Sequence, residues 1–129
     1  EIMTKEIITI DKEAPILELV EMFNKHHKHG FPVLHEGKLV GIVSKIDLLK
    51  TFSVEGTLSR GGWSKMFATH INDIMTAHPK TVSPEAHTIE ALDTMLSNDL
   101  RLLPVVKEDE LLGILSYTDI ARHVKVVSR

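Results

Sequence analysis

Two stretches of the sequence carry residue types able to hold a ligand: Gly41-Ile42-Val43-Ser44-Lys45-Ile46-Asp47 and Gly113-Ile114-Leu115-Ser116-Tyr117-Thr118-Asp119. In each, a glycine and two apolar residues precede a serine, and an aspartate follows three positions later where a helix opens. One reading is helix capping, in which Ser and Asp side chains satisfy backbone N–H groups left without partners at a helix start. The other is recognition. A helix N-terminus with free amides and a serine hydroxyl suits a phosphate. An ionised carboxylate one turn away can accept two hydrogen bonds from a vicinal ribose diol. A single Ser-x-x-Asp is common, but two at matching places in one chain are much less so.

Other chemistry has weaker support. His26-His27-Lys28-His29 puts His26 and His29 on one face if the helix before them continues. Zinc needs further ligands, and no nearby Asp, Glu or Cys has suitable spacing, so a polar helix end and no metal site is the expectation. Glu18 and Glu90 read as surface support on helices rather than as an acid–base pair. There is no Walker pattern, no G-x-S-x-G and no G-x-G-x-x-G, and no catalytic set. The expectation is a binding protein and not an enzyme.

With 129 residues, 43% hydrophobic and 26% charged, the chain is a globular domain with a sizeable core. A net charge of −3 gives no pull toward nucleic acid or anionic lipid. Having no cysteine, it has neither disulfides nor thiolate sites, and it suits the cytoplasm. No apolar run is long enough to span a bilayer, and no signal peptide is visible.

A repeat positions the two serine–aspartate stretches. Residues 2–50 align without a gap on 74–122 at a shift of 72, with 15 of 49 positions identical. Ile2-Met3-Thr4 falls on Ile74-Met75-Thr76, Pro32-Val33 on Pro104-Val105, Gly41-Ile42 on Gly113-Ile114, and Asp47 on Asp119. Each copy starts with a short strand, at Ile7–Ile10 or Lys80–Val82. A helix follows, carried by Ile16, Leu19, Val20 and Phe23 or by Ile89, Leu92, Met95 and Leu96. Next come two strands joined at Glu36-Gly37 or Glu108-Asp109 as a hairpin, then a second helix at Asp47 or Asp119. The boundaries read as repeat one at 1–52, a connector at 53–72, repeat two at 73–124 and a tail at 125–129. In the connector, Trp63, Met66 and Phe67 form one face of a short helix, either packed on the core or available for self-association. Neither copy has many apolar residues of its own. An α/β (α+β) module of two pseudo-symmetric β-α-β-β-α repeats packed sheet to sheet, with clefts between them, is therefore expected.

The halves resemble tandem CBS domains, the cystathionine-β-synthase repeat whose pairs form a Bateman module. The marks are Ile-Met-Thr opening each copy, the Gly30-Phe31-Pro32 and Leu102-Leu103-Pro104 segments, and the two glycine-to-aspartate stretches. The resemblance implies a regulatory module that senses AMP, ADP, ATP or S-adenosylmethionine, with no required cofactor. It also implies a homodimer and an effector domain or partner protein. By position, it assigns one site to Ser116, Thr118, Asp119, Arg101 and Ile114, completed by Ile8, Lys28 and His29. The mirror site takes Ser44, Asp47, Ile42 and His29, with Lys80, Leu100 and Arg101. The first has Arg101 for phosphate where the second has His29, and Thr118 where the second has Ile46, so it is expected to be the better nucleotide site. Leu102 departs from the family pattern, which has a small residue there. The rival expectation is a structural pairing module with no bound nucleotide.

Overall fold

The computed structural model describes residues 6–52 and 68–127, with side chains as far as Arg122. Its elements run β1 (Ile10–Asp11), α1 (Ile16–Lys25), β2 (Gly30–His35), β3 (Lys38–Ser44), α2 (Lys45–Thr51), a 3₁₀ turn (Ile71–Asp73), β4 (Thr76–Ala77), α3 (Thr88–Ser97), β5 (Leu102–Lys107), β6 (Glu110–Ser116) and α4 (Tyr117–Val127). The fold is mixed α/β, and the chain divides into two compact units: Ile8–Pro79, and Lys80–Arg129 with Glu1–Ile7. None of the described helices is long and apolar enough to cross a membrane.

The hairpins form as expected, and the repeat extends to their irregularities. Glu36 and Gly37 turn at φ 50° and 80°, and Glu108 and Asp109 at 53° and 68°. Two left-handed central residues make a two-residue turn whose twist matches that of the strands. In the first hairpin the register steps from Val33↔Gly41 to Leu34↔Leu39, leaving Val40 as a bulge. The second steps from Val105↔Gly113 to Val106↔Leu111, leaving Leu112 in the same place. Glutamate and aspartate are poor left-handed residues beside Asn-Gly. Glu108→Asn with Asp109→Gly is therefore expected to stabilise the chain by about 1 kcal/mol, raising the urea midpoint at constant slope.

Alternation decides which strand residues are buried. In the first unit Phe31, Val33 and Val43 join Ile10, Ile16, Leu19, Leu48 and Ile71 in one core. In the second, Leu103, Val105 and Leu115 join Ala91, Met95 and Ile120. The intervening residues Ile42, Ser44, Ile114 and Ser116 lie on the opposite sheet faces.

Several sequence expectations are corrected. Ile7–Thr9 is not strand, because β1 pairs with β2 only at Ile10↔Val33 and Asp11↔Leu34. Its counterpart shrinks to a single bridge, Val82↔Val105. Helix α3 buries Ala91 and Met95, while Ile89 and Leu96 remain 69% and 62% exposed. Helix α1 ends at Lys25, and His26 is extended at φ −120°, so His26 and His29 do not share a helix face.

The first sheet has the order β1-β2-β3-β4, and β4 adds to the free side of β3 at Gly41↔Ala77 and Ile42↔Thr76. Ile74-Met75-Thr76, which opens the second repeat in sequence, thus belongs to the first unit and covers an otherwise open edge. The end of the connector lies against the same unit. Ile16 N–H donates to Thr69 O at 3.0 Å, and Ile71 N–H to Ala14 O at 2.9 Å, with Thr69 and Ile71 buried. Trp63, Met66 and Phe67 lie outside the described residues.

Candidate functional site

Both serine–aspartate stretches close reciprocal capping boxes. Ser44 N–H donates to Asp47 Oδ2 at 2.8 Å, and Asp47 N–H to Ser44 Oγ at 3.0 Å. In the second unit Ser116 N–H donates to Asp119 Oδ2 at 3.0 Å, and Asp119 N–H to Ser116 Oγ at 3.1 Å. The serine ends its strand, and the aspartate is the third helical residue rather than the first, the spacing that lets each side chain reach the other's amide. All four residues are half-buried.

A further pair of bonds was not foreseen. Lys45 N–H donates to His29 O at 2.9 Å, and Tyr117 N–H donates to Arg101 O at 3.2 Å. The residue before each first hairpin strand thereby ties down the first helical amide through its backbone. No side-chain type announces this, so sequence could not reveal it. The correction is chemical. A helix start was expected to offer a set of free amides, but the first and third are already bonded. Among the described residues, the second amide, of Ile46 or Thr118, is the one left for an anion.

The second unit gathers a coherent set at this helix start. Arg101 and Thr118 are exposed, and Ile114 and Ser116 alternate on one face of β6, with Leu102 opposite Ser116. Ser116 Oγ accepts from the Asp119 amide and keeps its own proton to donate. The Asp119 carboxylate is held in the same box, its Oδ2 accepting from the Ser116 amide. The first unit gathers His29, Ile42, Ser44 and Asp47 in the same way, with Gly30 opposite Ser44. Its helix presents the hydrocarbon of Ile46, 47% exposed, where the other presents the Thr118 hydroxyl. Helix α2 has only seven residues, too short to add much field of its own.

The residues assigned across repeats fall in different units. Ile8 is half-buried against the first core, while Lys28 and His29 are exposed between α1 and β2. Lys80 is exposed at the start of the second unit, and Leu100 packs on the second core.

A family model described as the CBS domain matches residues 1–54 and again 71–126. The chain belongs to the CBS-domain family. Among curated relatives, the mitochondrial CBS domain-containing protein CBSX3 of Arabidopsis thaliana is 30% identical over 114 residues, covering 84% of this chain and 52% of that protein. An inosine-5'-monophosphate dehydrogenase of Korarchaeum cryptofilum is 33% identical over 117 residues, covering 90% of this chain but 22% of the enzyme. This CBS pair thus spans about half or less of those relatives. Among solved structures, CBSX2 of Arabidopsis thaliana in complex with AMP has a TM-score of 0.84 at 26% identity, covering 99% of this chain and 96% of that one. The CBS domain pair of protein MJ0100, in complex with 5'-methylthioadenosine and S-adenosyl-L-methionine, has a TM-score of 0.80 at 26% identity, covering 98% and 94%.

Proposed function

We propose that this CBS pair is a non-catalytic regulatory module that binds an adenosine-type compound, with the capped start of α4 as its principal site. Asp119 takes the ribose diol. Ser116 Oγ–H, the Thr118 amide and hydroxyl, and Arg101 take the phosphate, and Ile114 flanks the base. The observation that carries the reading is the capping box itself. It holds Asp119 by a backbone bond and leaves Ser116 a proton to donate, so both groups are oriented before a ligand arrives. The adenosine ligands of CBSX2 and MJ0100 support the compound class. The capped start of α2, with Ser44, Asp47, Ile42 and His29, is the weaker counterpart because His29 stands in the position of Arg101 and Ile46 in that of Thr118.

Calorimetry with AMP, ATP and S-adenosylmethionine tests the ranking. Asparagine keeps an oxygen for the cap but loses the charge that strengthens hydrogen bonds from a diol. Asp119→Asn is expected to weaken AMP binding roughly tenfold or more, and Asp47→Asn distinctly less. Equal losses would remove the ranking, and a wild-type chain that binds no nucleoside would remove the reading. A second reading, self-association into a homodimer that pairs an effector protein, is favoured by exposed apolar side chains. Ile46 and Leu49 on α2, Phe52 just after it, and Ile89 and Leu96 on α3 are exposed. A dimer that no nucleotide stabilises against heat would put this second reading first.

A further inference from the structure

The first unit gathers Asp11, Glu13 and His35 with their candidate ligand atoms within 4.8 Å of one another. They lie at the end of the sheet remote from Ser44. His35 is five residues beyond Gly30 on β2, about 17 Å along the strand. Asp11 closes β1, and Glu13 sits in the turn that follows, its amide donating to Asp11 Oδ1 at 2.8 Å. The side chain of His35 is 30% exposed, but its Nδ1 is buried and, among the described residues, has no hydrogen-bond partner. Its Nε2 lies 3.8 Å from Glu36 Oε2, and Lys38 is its partner across the hairpin.

The second unit shows what the same positions do with other side chains. At the shift of 72, Asp11, Glu13 and His35 become Ser83, Glu85 and Lys107. Ser83 Oγ–H donates to Glu85 Oε1 at 2.8 Å, and Lys107 Nζ lies 3.5 Å from Glu85 Oε2. The Ser83 hydroxyl, and after it the Lys107 ammonium, holds the Glu85 carboxyl below the usual carboxylate range. That repeat supplies its own cation. The first repeat exchanges ammonium for imidazole and hydroxyl for carboxylate, which leaves two negative charges, a nitrogen ligand and no cation among the three residues.

We propose that Asp11, Glu13 and His35 form a binding site for a zinc-type divalent cation, in the place that the Lys107 ammonium serves in the second repeat. One imidazole nitrogen with two carboxylates suits zinc and its first-row neighbours, whereas magnesium prefers oxygen alone and keeps its water. Ligand bonds of about 2.0–2.2 Å put tetrahedral ligand atoms roughly 3.3–3.6 Å apart. Asp11 and Glu13 are exposed, so rotation about their side-chain bonds closes the remaining gap. Water completes the coordination. The bound ion ties the Asp11–Ala14 turn to the end of β2 and stabilises the first unit by mass action.

Metal-stripped protein dialysed against a fixed free zinc concentration, with bound metal counted, tests the site. His35→Lys installs the residue of the second repeat, and Asp11→Asn removes a charge from an exposed position. His27→Ala controls for the other histidines. The wild type and His27→Ala are expected to bind one more equivalent of zinc than His35→Lys or Asp11→Asn. Zinc, but not magnesium, should raise the melting temperature of the wild type and leave that of His35→Lys unchanged. Equal zinc on wild type and His35→Lys, or none on wild type, overturns the proposal.

Discussion

Phe31→Ala is expected to cost about 3–5 kcal/mol of stability, read as a fall in the urea midpoint. Phe31 is 1% exposed on β2 and sits among Ile16, Leu19, Val33 and Val43. Its ring centroid lies 4.9 Å from that of Phe23 at a tilt of 42°, and His26 meets it edge-on at 6.4 Å. Truncation loses the transfer energy of the ring and leaves a cavity that neighbours on a helix and two strands cannot collapse into. The loss reaches the candidate site in the same unit. Lys45, the first residue of α2, places Nζ 5.6 Å from the Phe23 ring centroid, and Phe23 leans on Phe31. The repeat supplies the control, since Leu103 stands at the matching place. Phe31→Leu should therefore cost about 1–1.5 kcal/mol, well below alanine. An alanine variant within 1 kcal/mol of wild type would mean that this ring does not organise the first core.

The parts of the fold legible in sequence were those that repeat. A 72-residue shift that kept Pro32, Gly41, Ser44 and Asp47 in register predicted both hairpins and both second helices, and even the bulges proved equivalent. Elements whose existence depends on a distant partner were not legible. Ile7–Thr9 has strand composition but finds no strand partner among the described residues, whereas Thr76–Ala77 has little strand character and becomes one because β3 offers an edge. Apolar periodicity misplaced the buried stripe of α3. Leu96 aligns with Asn24 of α1, an exposed position in both helices, and the small Ala91 takes the buried place instead. At the candidate site, side-chain types singled out Ser116 and Asp119, and the family resemblance added Arg101. They could not give the Tyr117–Arg101 and Lys45–His29 backbone bonds, since every residue carries those groups. The grouping of Asp11, Glu13 and His35 was not legible for a related reason. Asp11 and Glu13 are far from His35 in sequence, and parallel pairing of β1 with β2 brings them together.

Gly41 opens the stretch first read as ligand chemistry, yet its requirement is steric. A Cβ built there would lie 2.6 Å from Met75 Sδ, 2.8 Å from Thr76 O and 3.2 Å from Met75 Cγ. The methionine end can swing aside. The Thr76 carbonyl cannot, because it belongs to the strand that pairs with Gly41 and Ile42. Even one methyl group must therefore push β4 off β3 or distort both strands. Met75 also packs against the first core, so a displaced β4 withdraws apolar cover as well as hydrogen bonds. Gly41→Ala is accordingly expected to destabilise the chain by about 1–3 kcal/mol, the usual cost of overpacking. It should also speed hydrogen exchange at the β3–β4 amides, while the β5–β6 hairpin keeps its protection. This pattern separates crowding from a general loss of stability, which would speed exchange in both hairpins. An alanine variant as stable as wild type, with β4 amides still protected, would show that the strand yields at no cost and that the glycine serves something other than close approach.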